Sequence, residues 1–204
     1  MIVVGCDPGG HTGLVTVEVG ADGTLSFRET LTLTRAATSL KRSRTDAQRE
    51  HARMIYLYME RTNPDLVLIE EPWDVSDGWG GGGRRVGTGF HIGAAYGYTL
   101  AMVPPGTEVL AFPVRSQRQG KNKHNKGWVR GTTKLKALGV AKLLWENTVV
   151  GAPPFAEMTE HEQVAAAVIL RHLAGDAFTE ALQNPKGTTE RNVKSRAIKN
   201  PGLA

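Results

Sequence analysis

The chain has little cysteine and no long apolar run. Cys6 is the one cysteine among 204 residues, which excludes an internal disulfide framework and a cysteine-rich zinc site. The sequence opens directly on the strand-like residues 2–4, with no basic leader before them. No apolar stretch is long enough to cross a bilayer, so we expect neither a signal peptide nor a membrane span. These features predict a cytoplasmic protein from a reducing compartment.

Acidic residues are missing from residues 115–136, which hold eight lysines and arginines. Residues 184–204 carry five basic side chains and one acidic side chain, whereas the rest of the chain carries 12 basic and 19 acidic ones. The net charge of +5 therefore combines an acidic body with a basic loop and a basic tail. Such a loop is either a solvated charge run or the contact surface for a polyanion. The glycines and Trp128 among its bases favour nucleic acid.

The basic side chains that we expect to contact the nucleic acid fall in two groups. In the basic loop they are Arg115, Arg118, Lys121, Lys123, Lys126 and Arg130. Arg84 and Arg85, within a glycine-rich stretch at 78–89 that we predict to be a loop, are assigned to the same contact.

The length suits one domain, which we place at residues 1–183, followed by a tail at 184–204 that is expected to be disordered. Alternating and apolar runs predict five strands, at residues 2–6, 12–19, 24–33, 66–69 and 109–112. Helical spacing predicts helices at residues 45–61, 88–103, 135–145 and 159–174. This order predicts an α/β fold in which helices flank a central, mixed, five-stranded sheet.

Two carboxylates stand where predicted strands end. Asp7 follows the first strand and precedes Pro8-Gly9-Gly10, and Glu70 ends the fourth strand. Ligands bind at such strand ends in α/β sheets, and neighbouring strands lie only ~5 Å apart. The two carboxylates could therefore share Mg²⁺, which prefers oxygen ligands. The alternatives are a common turn at Asp7 and a surface acid at Glu70.

Glu162, near the start of the last predicted helix, is the candidate third carboxylate. Two cations about 3.5–4 Å apart between carboxylates are suited to phosphodiester hydrolysis. The alternative is structural, because Thr159 and Glu162 have the spacing of a helix capping box.

Small residues recur every fourth position on the predicted helix at 88–103. Gly93, Gly97 and Ala101 would form one smooth stripe that lets another backbone approach closely. The stripe would face either the sheet or a partner subunit.

Residues 4–13, with the sequence VGCDPGGHTG, resemble the opening of the RuvC-type Holliday junction resolvases, which have the RNase H fold. Ile69-Glu70 resembles the second catalytic acid of that family. Residues 90–97 are similar to the family's subunit-pairing helix, and residues 162–167 to its closing helix. The resemblance runs over about residues 1–175 in element order.

The resemblance implies that Asp7, Glu70 and Glu162 are catalytic carboxylates that bind Mg²⁺ or Mn²⁺, with two ions in each active site. It also implies an aromatic wedge three residues after the second acid, where this chain has Trp73. Trp73 would stack on a base at the junction centre; the alternative is packing over the sheet edge.

The family's fourth ligand lies three residues before the last acid, and this chain has Thr159 there. Threonine is a poor Mg²⁺ ligand. Either Glu160, His161 or Glu157 replaces it, or the ion is held through water.

The resemblance implies a homodimer that nicks four-way or other branched DNA by two-metal hydrolysis, with Asp7 between the two ions. The expected location is the nucleoid of a bacterial or phage-infected cell. One alternative is a branched-DNA-binding module without catalysis, which the Thr159 departure leaves open. Another is a nucleotide-dependent phosphotransferase of the actin-like superfamily, although this chain is too short for that superfamily's duplicated domain.

Overall fold

A computed structural model of the chain describes residues 1–36, 43–70, 84–112 and 134–183. These residues form one mixed sheet with helices on both faces. The strands, in chain order, are β1 (Ile2–Asp7), β2 (His11–Val19), β3 (Leu25–Thr34), β4 (Leu66–Glu70), β5 (Glu108–Phe112) and β6 (Val149–Val150). They lie in the order β5-β4-β1-β2-β3-β6, which confirms the predicted α/β class.

The sheet has one more strand than the five predicted. β6 is two residues long and pairs in parallel with the start of β3. Two residues are too few to show an alternating pattern, so no local signal indicated this strand. The pairs β1–β2 and β2–β3 are antiparallel, whereas β1–β4 and β4–β5 are parallel.

The hairpin from β2 to β3 turns at Asp22-Gly23, a dipeptide that favours tight hairpin turns. Gly23 has a φ of 81°, and the side chain of Asp22 accepts a hydrogen bond from the Thr24 amide at 2.9 Å. The pairing has a bulge at residue 28, because Thr16 pairs with Glu29 while Val17 pairs with Phe27.

Five α-helices surround the sheet in the described part of the chain. They are α1 (Arg44–Thr62), α2 (Arg84–Ala101), α3 (Lys134–Thr148), α4 (Glu160–Leu173) and α5 (Gly175–Gln183). The side chain of Ser43 caps the start of α1, and Asn63, with a φ of 44°, ends it.

Two helix predictions need correction. The stretch at 78–89 was predicted as a loop because of its glycines, but α2 begins at Arg84 and includes residues 84–89. Helix α5, which packs on the core through Phe178 and Ala181, was not predicted at all. Glycine lowers helix propensity by only about 1 kcal/mol per residue, which the rest of a long helix can offset.

The alternation of side chains along the strands gives the sheet two different faces. The face that we call the α4 face carries Val3, Val15 and Val17 and packs against α3, α4 and α5 in a large apolar core. The opposite face, the α1 face, carries Val4, Cys6 and Leu14 and packs against α1 and α2. In the part of the chain that the structure describes, no helix has the length and apolarity that a bilayer crossing needs.

Candidate active site at the ends of β1 and β4

Asp7 and Glu70 lie side by side, as the sequence predicted. β1 and β4 are parallel neighbours in which Cys6 pairs with Ile69, so the next residue on each strand is a carboxylate. Alternation places both on the α4 face, since Asp7 follows Gly5 by two positions and Glu70 follows Leu68 by two. The pKa of the buried Cys6 thiol is raised by burial and by the negative charges of Asp7 and Glu70, which are both near it.

Two glycines let α4 approach these strands. A Cβ on Gly5 would lie 2.3 Å from the carbonyl oxygen of Ala165, and one on Gly13 would lie 2.2 Å from the carbonyl of His161. No side chain larger than hydrogen fits either gap. Because Gly13 pairs with Asp7, the start of α4 is held directly beside the first carboxylate.

His161 is the residue of α4 that reaches Asp7. Its Nδ1 lies 2.7 Å from Asp7 Oδ2, and its ring stacks on that of His11 with centroids 5.6 Å apart. When Asp7 is ionised, the Nδ1–H of His161 donates to it. Asp7 is 8% exposed, so this contact fixes a nearly buried carboxylate. His161 was one of the candidates for the fourth ligand position.

Glu162 is held in the predicted capping box. Its Oε2 accepts the Thr159 amide at 2.9 Å, and the Thr159 hydroxyl accepts the Glu162 amide in return. Its Oε1 accepts a hydrogen bond from the Thr32 hydroxyl at 2.9 Å. Thr32 pairs with Gly13, which pairs with Asp7, so the carboxylate of Glu162 is hydrogen-bonded to a residue two strands from Asp7.

The remaining acids considered for the fourth ligand position are open to solvent. Glu160 is exposed at the first residue of α4, and Glu157 is exposed in the short 3-10 turn Phe155–Glu157. Both differ in this respect from Asp7 and Glu162, which are nearly buried. His161 is therefore the candidate that the structure brings into contact with Asp7.

The donor set partly fits a divalent cation. Asp7 and Glu70 supply neighbouring carboxylates, which are the ligands that Mg²⁺ and Mn²⁺ prefer. Within residues 1–36, 43–70, 84–112 and 134–183, no three His, Cys, Asp or Glu side chains are close enough to form a metal-binding group. Among these described residues, a third ligand would require a side-chain rearrangement of Glu162 or His161.

The residues around the turn that follows Asp7 were not predicted from the sequence. The Arg35 amide donates to the Gly10 carbonyl at 2.7 Å, and the guanidinium of Arg35 lies 3.9 Å from where a Cβ on Gly10 would stand. Buried His51 on α1 contacts Thr12, which lies near the start of β2 just after the turn. A signal for His51 was present, because it stands four residues from both Ala47 and Ile55 in the buried stripe of α1.

The stripe on α2 faces away from the sheet. Gly93, Gly97 and Ala101 are exposed, and a Cβ built on either glycine would meet nothing within 4 Å. Of the two possibilities left by the sequence, packing against the sheet is excluded.

Most of the predicted DNA contacts lie outside the described residues. These are Trp73, Arg115, Arg118, Lys121, Lys123, Lys126 and Arg130. The backbones of Arg84 and Arg85 begin α2, but their side chains also lie outside the described part of the chain.

Comparison with known proteins gives structural relatives only. No family model and no curated protein matches the sequence. RuvC from T. thermophilus in complex with a Holliday junction substrate is 18% identical, with a TM-score of 0.52 over 92% of this chain and 98% of that one. Another structure of Thermus thermophilus RuvC is 22% identical, with a TM-score of 0.51 and the same coverage.

The yeast mitochondrial Holliday junction resolvase Ydc2 is 9% identical, with a TM-score of 0.51 over 95% of this chain and 85% of that chain. All three align over nearly the whole chain. The chain therefore has the RNase H-like fold that the RuvC resemblance implied.

Proposed function

We propose that this chain is a divalent-metal-dependent endonuclease that nicks branched DNA, four-way junctions above all, at the ends of β1 and β4. The observation that carries the proposal is the placement of Asp7 and Glu70 on neighbouring parallel strand ends. The fold supports it, because the similar structures include a RuvC bound to a Holliday junction substrate.

Asp7 and Glu70 would hold the cations, with Asp7 between two ions. Divalent cations bound there would stabilise charge on the attacking and leaving oxygens of a phosphodiester. His161 orients Asp7 by hydrogen bonding to Oδ2.

Glu162 remains the proposed third carboxylate. Each oxygen of its carboxylate accepts one hydrogen bond, from the Thr159 amide and the Thr32 hydroxyl, and keeps a further lone pair for a cation. A movement toward Asp7 that broke one of these bonds would cost about 1.5–3 kcal/mol. Glu160 and His161 are the alternatives for completing the set.

DNA affinity would come from the basic loop at 115–136, whose phosphate contacts make binding sensitive to salt. The rest of the chain is acidic and would repel DNA without these contacts. Trp73, three residues after Glu70, would stack on an unpaired base at the branch.

A homodimer would pair two active sites on a two-fold symmetric junction. The α2 stripe of Gly93, Gly97 and Ala101 supports this, since small exposed residues let two helices approach closely.

The proposal is tested with a labelled four-way junction and a linear duplex of the same sequence, each incubated with the protein in Mg²⁺, Mn²⁺ or EDTA. We expect nicks in the junction only, with either cation and none in EDTA. Junction binding without cleavage under every cation would instead favour the non-catalytic module. ATP binding without junction binding would favour the phosphotransferase.

A further inference from the structure

His51 is a buried polar residue for which the proposed cleavage chemistry has no role. It lies on α1, is 1% exposed, and packs on the α1 face, opposite to the face that carries Asp7 and Glu70. Its Nε2 lies 2.9 Å from the hydroxyl oxygen of Thr12. Thr12 is fully buried as well, so this hydrogen bond forms away from solvent.

The Thr12 hydroxyl closes the turn that follows Asp7. It accepts the Gly9 amide at 3.3 Å and donates to the Gly9 carbonyl at 3.2 Å. The hydroxyl of Tyr98 on α2 donates to the same carbonyl at 3.3 Å. Gly9 is two residues from Asp7, so the position of the carboxylate's backbone depends on these contacts.

The tautomer of His51 decides where the one proton of the Thr12 hydroxyl goes. With the proton of the ring on Nε2, His51 donates to Thr12 and the Thr12 hydroxyl donates to the Gly9 carbonyl. Nδ1 of His51 is then an acceptor, and it has no partner among the described residues. The opposite tautomer would bury an unpaired donor, which is the rarer and costlier arrangement.

The electrostatics agree with a neutral ring. Burial lowers the pKa of His51, and the nearby positive charges of Arg35 and His11 lower it further. The ring also packs edge-on against Tyr98, with centroids 5.9 Å apart. The neutral ring of His51 therefore donates a hydrogen bond to the Thr12 hydroxyl from the α1 face of the sheet.

A second contact of the same kind lies further along the same strand and helix. The hydroxyls of Tyr58 on α1 and Thr16 on β2 are 2.6 Å apart and buried. Tyr58 is seven residues after His51, and Thr16 is four after Thr12, on the same face of β2. Thr16 pairs with Val4 and with Glu29 beside the bulge, four residues further along β2 from the turn after Asp7 than Thr12. The two contacts therefore share their chemistry and differ in which backbone they hold.

We propose that His51 and Thr12 are positioning residues, which hold the turn after Asp7 and so fix the position of that carboxylate in the candidate site. This inference rests on the proposed endonuclease function for its catalytic part. The effect passes through the sheet, from a helix on one face to a carboxylate on the other. Displacing a catalytic group by 1 Å costs up to about 100-fold in rate.

The test compares Thr12→Val and His51→Leu with the matched variants Thr16→Val and Tyr58→Phe. The first readout, amide hydrogen exchange at Gly9 in the free protein, needs neither metal nor DNA. The second is the single-turnover cleavage rate constant on a four-way junction at saturating protein and Mg²⁺. His51→Gln, whose side-chain N–H₂ can still donate, serves as the conservative variant if His51→Leu does not fold.

We expect Thr12→Val and His51→Leu to speed Gly9 exchange at least 10-fold and to slow cleavage about 10- to 100-fold, with junction affinity unchanged. Thr16→Val and Tyr58→Phe should change neither, and His51→Gln should restore most of the rate. Equal rate losses in all four variants, or unchanged Gly9 exchange in the first two, would overturn the inference. If the wild type does not cut, the endonuclease proposal fails by itself, and Gly9 exchange still decides whether these residues hold the turn.

Discussion

The two faces of the sheet build the candidate site in different ways. On the α4 face, glycines at positions 5 and 13 allow backbone-to-helix contact, and the packing there is almost wholly apolar. On the α1 face, buried hydrogen bonds from His51 and Tyr58 reach threonines of β2. One face brings the reactive side chains together by close approach, and the other holds the backbone that carries them.

Different kinds of substitution should therefore damage the two faces. On the α4 face, any atom added at these glycines would prevent the close approach of the helix, because protein interiors are packed as densely as crystals. A buried hydrogen bond fails when one partner is removed, because the other is left unsatisfied. Four predictions test this contrast, in order of decreasing effect.

Gly13→Ala should cause the most damage. Its new Cβ would lie 2.2 Å from the backbone of His161, so the start of α4 must move away from Asp7. We expect a loss of about 3 kcal/mol in unfolding free energy and a large loss of cleavage. The control is Gly139→Ala on α3, where a Cβ meets nothing within 4 Å and the gain in helix propensity is about 1 kcal/mol. Chemical denaturation measures both, and equal stabilities would contradict the role of close approach.

Glu162→Gln separates the two roles of that side chain. If Glu162 binds a cation, cleavage should fall at least about 100-fold while stability changes little, because a glutamine at this position can still accept the Thr159 amide in the capping box. Thr32→Val is the control, because it removes the hydroxyl that bonds Oε1 but keeps the carboxylate. That variant should cut at the wild-type rate. A fully active Glu162→Gln protein would leave Glu162 as a cap only.

His51 should make stability depend on pH. Its pKa in the folded protein lies below the ordinary 6.5, mainly through burial, so below pH 6.5 the unfolded chain binds a proton that the folded chain does not. Folding stability should therefore fall as the pH drops through 6.5, with a slope of at most about 1.4 kcal/mol per pH unit.

The measurement is the unfolding free energy of wild type and His51→Gln between about pH 5 and 7.5, the range around the ordinary histidine pKa. His172 also has a lowered pKa, but it is present in both proteins and cancels in the difference. The difference between the two proteins should shrink toward low pH. A constant difference would mean that the pKa of His51 is the same in the folded and the unfolded chain, which would contradict the lowered pKa of the buried ring.

Gly97→Gln should leave the folded monomer almost unchanged, since residue 97 lies outside both packed faces and is exposed. Its effect should be on assembly, because a long side chain on the α2 stripe would keep two helices apart. Mass measured in solution should shift from dimer to monomer. A wild type that is already monomeric at assay concentration would contradict the dimer proposal.

The α/β class, the order of the first strands and the pairing of Asp7 with Glu70 could be predicted because they depend on local patterns. Buried strands that end on acids are visible in sequence, and the parallel β1–β4 pair then follows from the fold. β6 could not be predicted, since its two residues pair with β3 only through the tertiary structure. Helix α5 and the start of α2 could not be predicted from local patterns either.

The site could be predicted residue by residue only in part. The Thr159–Glu162 spacing correctly indicated a capping box, but the hydroxyl of Thr32 that holds Glu162 lies 130 residues away in the sequence. The contact of His161 with Asp7 depends on the gap left by Gly13, which no local pattern shows. Gly13 matters because the backbone at the start of α4 packs directly against it.

The catalytic role of Asp7 is decided by single-turnover cleavage of a labelled four-way junction in Mg²⁺ by wild type and Asp7→Asn. Asp176→Asn, on an exposed acid of α5, is the matched control. We expect wild type and Asp176→Asn to nick the junction at the same rate, while Asp7→Asn binds the junction and cuts at least ~1,000-fold more slowly, a loss of about 4 kcal/mol of transition-state stabilisation. Cleavage by Asp7→Asn at the wild-type rate would show that the site at the ends of β1 and β4 is not the catalytic centre.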